Sequence, residues 1–152
     1  MSGKLCSLTT PADVALAAAT AKTVLQLATT AGTNFPRAIV KQIGIFFDGA
    51  TTTNTPVHIK VVRQTTTGTG TTVTPVAVGD SADAILSVGA YNFSAEPTAG
   101  NVLYQCKVHP QSGFAMILPL GLEIVVPANT RLGIVCTAAQ IVNCSSTIWL
   151  EE

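Results

Sequence analysis

Charge is scarce in this sequence. Of 152 residues, eight are Lys or Arg and eight are Asp or Glu, so charged residues make up 11% and the formal net charge is zero. An ordinary soluble domain carries about 25% charged residues. The cations Lys4, Lys22, Arg37, Lys41, Lys60, Arg63, Lys107 and Arg131 are spread along the whole chain. A nucleic-acid binder concentrates Lys and Arg on one face to displace counterions, so the scatter predicts no nucleic-acid partner. Neutrality with few charges also leaves little repulsion between copies. That predicts a chain that works against other copies or partners.

Other absences narrow the reading further. No signal-peptide core follows "MSGKLCSLTTPADV", and the longest mostly apolar stretch, "FAMILPLGLEIVV" (Phe114 to Val126), is broken by Pro119, Gly121 and Glu123. Such a stretch is too short to span a bilayer, so a soluble chain made in a cytoplasm, with no membrane partner, is expected. Cys6, Cys106, Cys136 and Cys144 include no CxxC pair, and their spacings of 100, 30 and 8 match no disulfide scaffold. Cys106 and Cys136 fall in apolar strand patterns, which predicts small core hydrophobes. Aromatics make up 5%, with a single Trp. Trp149 stands between Ile148 and Leu150, which predicts core or interface packing in a strand covered on both faces, not a stacking platform for a ligand.

What is present is alternation. "RAIVKQIGIFF" places Ile39, Ile43, Ile45 and Phe47 on one parity, "VHIKVVR" places Val57, Ile59 and Val61, and "VLYQCKVH" places Val102, Tyr104, Cys106 and Val108. "RLGIVCTA" and "STIWLEE" continue the style. Period two with β-branched enrichment means half-buried antiparallel strands. Turn residues such as Asp48-Gly49, Gly79-Asp80, Pro119 with Gly121 and Pro127 with Asn129 punctuate them. The expectation is an all-β, two-sheet antiparallel β-sandwich of eight or nine strands, favoured over a closed barrel. One segment competes. "PADVALAAATAKTVLQLA" (Pro11 to Ala28) is Ala-rich with Asp13 as a possible N-cap, so a helix is one reading. Thr20 and Thr23 disfavour it, and "TVLQLA" alternates; an extended segment leading into a strand, with Leu25 and Leu27 inward, is the expectation.

Motifs for chemistry are thin. In "RQTTTGTGTTVTP" (Arg63 to Pro75), Gly68 and Gly70 are followed by Thr, Val and Pro, with no Lys before residue 107. A phosphate loop needs that Lys and a following helix, so the stretch is read as a surface loop or strand extension. The imidazoles, His58 and His109, lie near no GxSxG motif and are expected at the surface. Asp48, Asp80, Asp83, Glu96 and Glu123 lie in turns and Glu151 and Glu152 in the tail, the ordinary places for acids. Asp80 and Asp83 in "GDSAD" fall short of an EF-hand ligand run. Catalytic residues, cofactor and metal are therefore all expected to be none.

Five phrases together carry a resemblance. "LAAATAKTVLQL", "FDGATTTNTPVHIKVVRQTTTGTGTTVTP", "SAEPTAGNVLYQCKVHPQSGF", "VPANTRLGIVCTA" and the ending "IWLEE" resemble small virion proteins of tailed bacteriophages and related uncultured viruses. The resemblance implies a jelly-roll-like domain that decorates or cements a capsid, often as a trimer over a lattice junction. The implied location is the virion surface, and the implied partners are the major capsid protein and further copies. It also implies an N-terminal arm, residues 1–13, leading into a sandwich over residues 14–152. Leu5 and Leu8 would anchor that arm on neighbouring subunits, ordering only on docking. Deleting residues 2–12 would then weaken attachment and spare the fold. A rival of another class is a tail, fibre or host-surface module binding a glycan or receptor through the sandwich loops. A hydrolase would need His58 or His109 beside a carboxylate and a nucleophile.

Overall fold

Alternating apolar residues build two sheets whose inner faces meet. The computed structural model describes residues 3–31, 37–49, 54–79 and 84–152. Among them lie thirteen strands and no helix, hence none long and apolar enough to cross a membrane. The expected alternation holds where it was clearest. In β3 (Ala21–Thr29) Leu25 and Leu27 are fully buried, in β5 (Val57–Gln64) Val57, Ile59 and Val61, and in β12 (Arg131–Thr137) Leu132, Ile134 and Cys136. In β13 (Val142–Glu151) every second residue from Val142 to Leu150 is buried. Each fully buried aliphatic side chain contributes about 1.5–3 kcal/mol relative to exposure, so these four strands carry much of the core.

One sheet has the order β10-β4-β13-β1-β7, with β1 (Leu5–Thr9), β4 (Ala38–Asp48), β7 (Val76–Ala77) and β10 (Gly113–Ile117). Two short strands extend it: β2 (Val14–Leu16) continues along β13, and β11 (Ile124–Val126) along β4. The other sheet runs β6-β8-β3-β12-β5-β9, with β6 (Thr69–Val73), β8 (Ser87–Ala95) and β9 (Ala99–Val108). All strand pairings are antiparallel. The fold is a two-sheet antiparallel sandwich.

The strand count exceeds the eight or nine expected for two reasons. The strand lines alongside β13 and β4 are each broken in two, and β6, β7 and β8 form an excursion between β5 and β9. That excursion answers the Thr/Gly stretch. β5 and β6 stand on opposite sides of β12, β3 and β8, so residues 65–68 cross the outside of the six-stranded sheet. Residues 95–98 cross back beside them, with Thr65 N donating to Thr98 O at 3.0 Å and Thr98 N to Thr66 Oγ1 at 2.8 Å. Gly68 needs its φ of 64°, and a Cβ there would press on the Ala95 carbonyl at 2.6 Å. A surface crossing is what the stretch is.

Three expectations are corrected. In β4 the pairing shifts between Trp149 and Leu150, so Val40 points inward and Ile39 outward, against the single parity read from the sequence. In β9 a similar shift leaves Tyr104, Cys106 and Val108 half-buried on one side and turns Val102 out, 48% exposed. A bulge inserts one residue and reverses every side chain beyond it. The third concerns residues 1–13. Leu5–Thr9, expected as a separate arm, is the strand β1, paired with both β13 and β7. The segment from Pro11 is extended: Val14 and Leu16 are buried in β2, and a turn at Ala19 leads into β3.

Candidate interaction surface

The residue types that could carry chemistry are dispersed. His58 is half-buried on the outside of the six-stranded sheet, opposite Lys107 on β9. His109 is exposed beyond the end of β9, and its Nδ1 accepts the Gln111 amide at 3.2 Å. The acids hold backbone: Glu96 Oε2 accepts Thr23 N at 2.7 Å, Glu152 Oε2 accepts Ser87 N at 3.0 Å, and Glu123 Oε2 accepts Gly121 N at 2.6 Å. Asp80 and Asp83 lie outside the described residues, as do residues 51–53. No group of three His, Cys, Asp or Glu suited to a metal occurs among the described residues. The four cysteines are free; Cys6, Cys136 and Cys144 are buried and Cys106 is half-buried. A hydrogen bond with Cys144, together with burial, pushes the Cys136 thiol well above its ordinary pKa, so it stays protonated and unreactive.

The surface itself is more informative. Residues directly opposite one another on neighbouring strands share a face, so the registers can be read as rows across the outside of the seven-stranded sheet. One row runs Val76, Ser7, Trp149, Gln42, Ile117. A second runs Leu5, Glu151, Ile39, Val125, with Val78 beside Leu5 through a 2.9 Å amide-to-carbonyl bond. A third sets Ser145 beside Phe46 and Gly113. Phe46 lies flat here because Gly44 and Gly113 have no side chain to lift it; a Cβ on either would meet its ring. Ile117 is 73% exposed, Val76 65% and Phe46 51%. Trp149 is half-buried and faces outward between the inward Ile148 and Leu150, which corrects the expectation of a strand covered on both faces.

Charge on this face is small, one ammonium against three carboxylates. Lys41 Nζ meets Glu151 Oε2 at 2.9 Å and Glu123 Oε1 at 3.3 Å, while Asp48 stands at the far end opposite Asn143. The hydrogen bond to Glu151 leads in raising the Lys41 pKa, so the ammonium is charged across the physiological range. The outside of the other sheet contrasts with it. That face carries His58, Lys60, Lys107 and Arg131, and the two crossings lie over part of it.

The two interface residues expected from the sequence separate. Leu5 is 43% exposed and belongs to the apolar face. Leu8 does not: it is fully buried in the core, beneath Gly89, where a Cβ would collide with it. The reason is parity, since Leu5 and Leu8 are three residues apart and point to opposite faces of one strand. Phe46, Val76 and Ile117 were not singled out as interface residues, and the doubled aromatic "FF" at 46–47, one ring in and one out, was the available signal.

A groove lies beside this face, where the edges of the two sheets diverge. It encloses about 420 Å³ and is lined by Leu103, Tyr104, Met116, Leu118 and Ile124, with Arg63 at one side. Arg63 points between the sheets, and its Nη2 donates to the Val125 carbonyl at 2.6 Å. Burial lowers the Arg63 pKa, and its Nη1 is buried without a hydrogen-bond partner. Tyr104 and Phe114 stack across the gap with centroids 6.1 Å apart.

No family model, curated protein or solved structure matches the chain.

Proposed function

We propose that this chain is a non-enzymatic structural protein of a virion, one that self-associates and binds the major capsid protein to stabilise the head. The observation that carries the reading is the sparsely charged outer face of the seven-stranded sheet, where Phe46, Val76 and Ile117 are exposed around a half-buried Trp149. Large apolar side chains gathered on one open face of a soluble protein mark an interaction site. The low overall charge supports the same conclusion, since nothing in it keeps copies apart.

The strand order supports a jelly-roll reading of the sandwich. Setting the β6–β8 excursion aside, and joining β1 with β2 and β10 with β11, leaves eight strand lines. In chain order the first, eighth, third and sixth lie side by side in one sheet, and the second, seventh, fourth and fifth in the other. We read that wrapping as the double Greek key of a jelly roll, the architecture implied by the resemblance to small phage virion proteins. In that reading the chain assembles as a trimer at the capsid surface.

The test is the solution mass of the purified chain, followed by imaging of where it sits on a purified particle. A mass of three chains of 15.6 kDa and density on the head shell are expected. A strictly monomeric protein absent from particles would refute the reading. Density on a tail or fibre, with glycan binding in solution, would transfer it to host recognition.

A further inference from the structure

The outer face of the seven-stranded sheet has to be covered by something, and its chemistry narrows what. We infer that the occupant is a second copy of this chain. The inference rests on the self-association proposed above and assigns the surface that performs it.

Three observations carry it. The first is area. β13 is ten residues long and the sheet is five strands wide along its hydrogen-bonded path. Most of the other strands are shorter, and the 39 strand residues of the sheet, at ~3.3 Å per residue and ~4.8 Å per strand, cover about 600 Å², the lower end of what one partner contributes to a specific interface. The second is charge. Lys41 is joined to Glu151 at 2.9 Å and to Glu123 at 3.3 Å near one end of the face, and Asp48 stands at the other, so the middle rows meet a second copy without charge. A strongly charged partner would find no counter-charge at the centre, where Ser7, Trp149 and Gln42 stand in line. The basic outer face of the other sheet, with His58, Lys60 and Lys107, would repel its own copy and suits self-packing poorly.

The third is shape. Phe46 is laid flat over Gly44 and Gly113, and Ser7, Thr9, Ser145 and Thr147 fill the rest of the rows with small side chains, Thr9 and Thr147 bonded to each other at 2.9 Å. A sheet face of this kind packs against another at ~10 Å with side chains interdigitating. The large exposed residues Val76 and Ile117 stand at opposite edges of one row. They lie where a two-fold or a three-fold arrangement brings neighbouring copies into contact.

Trp149 gives the experiment an internal reporter, because it is the single Trp and sits in the middle of the face. On dilution of the wild-type chain through its assembly range, its emission should shift to the red as light-scattering mass falls to one chain. Val76→Glu and Ile117→Glu, both at exposed positions, should give a single-chain mass at concentrations where wild type is assembled, with an unchanged far-UV spectrum. Leu103→Glu and Leu120→Glu, at the groove and its neighbouring loop, should leave the mass as in wild type. A wild type that is monomeric at every concentration would overturn self-association itself. An assembled wild type dissociated by the groove variants, with constant Trp149 emission, would overturn this face alone and leave self-association standing.

Discussion

Gln26 Nε2 donates to Gln64 Oε1 at 2.7 Å, on the outside of the six-stranded sheet yet out of water. The loop crossing at residues 65–68 makes that burial, and Gln26 also donates to the Thr66 carbonyl at 3.2 Å. Gln64 Nε2 completes the set by donating to Thr23 Oγ1 at 3.0 Å. Buried polar groups are tolerable when bonded and costly when one partner is lost.

Gly133 is what lets the Gln64 side chain lie there, since a Cβ at 133 would occupy the same space. Gly133→Ala should therefore destabilise by about 1–3 kcal/mol, the usual cost of orphaning buried polar groups, read as a fall in the urea midpoint. In a Gln64→Ala background the same change should cost much less, because the displaced group is gone. Equal costs in both backgrounds would show that Gly133 acts by another route.

The N-terminal strand makes a second prediction. Leu8 is fully buried and Leu5 is 43% exposed, so Leu8→Ala should cost about 2–5 kcal/mol while Leu5→Ala stays within about 0.5 kcal/mol of wild type. Deleting residues 2–12 removes all of β1, and with it the pairing partner of both β13 and β7. The deletion should lower stability in denaturant unfolding along with any loss of attachment. A truncated chain as stable as wild type would restore the separate arm.

The sandwich was legible because the residues alternation selects in β3, β5 and β12 are buried, and because β13 alternates without a break. What alternation cannot carry is register. The shifts at Trp149/Leu150 and Val61/Val62 arise from how two strands meet, and they turned Ile39 and Val102 outward against the pattern. β1 was missed because "LCSLT" is five residues long in a polar setting, and β7 because two residues hold no period. The apolar face followed them out of sight. Its rows join residues 5, 46, 76, 117 and 149, which only pairing brings side by side.

Ala19 carries a φ of 56° in the turn between β2 and β3, where its amide donates to the Ala138 carbonyl at 2.7 Å. A left-handed conformation costs an L-residue about 1–2 kcal/mol, and glycine avoids that at a cost of about 0.5–1 kcal/mol in unfolded-state entropy. Ala19→Gly should be net stabilising by about 0.5–1 kcal/mol, seen as a higher melting temperature. Ala15→Gly, in the neighbouring strand β2, should be destabilising by comparison.

Glu123 predicts the acid limb of the stability curve. Hydrogen bonds from its own amide and from Gly121, followed by the Lys41 ammonium, hold its carboxyl below the usual carboxylate range. A group with a depressed folded pKa contributes stability that is present above its unfolded pKa, about 4.3 for Glu, and lost as pH falls through the lower folded value. Lys41 behaves in the opposite sense: its pKa is raised, so its contribution is full below its unfolded value and lost only as pH climbs through the folded one. Between the two limits both contributions are in place. Glu123→Gln keeps an oxygen for the Gly121 amide and removes the charge. Wild type should thus exceed the variant in denaturant-derived stability near pH 7, and the two curves should converge below about pH 4 as the wild-type carboxylate takes its proton. A gap that stays constant from pH 7 to pH 3 would assign the loss to packing, since a charge effect must disappear once the carboxylate is neutral.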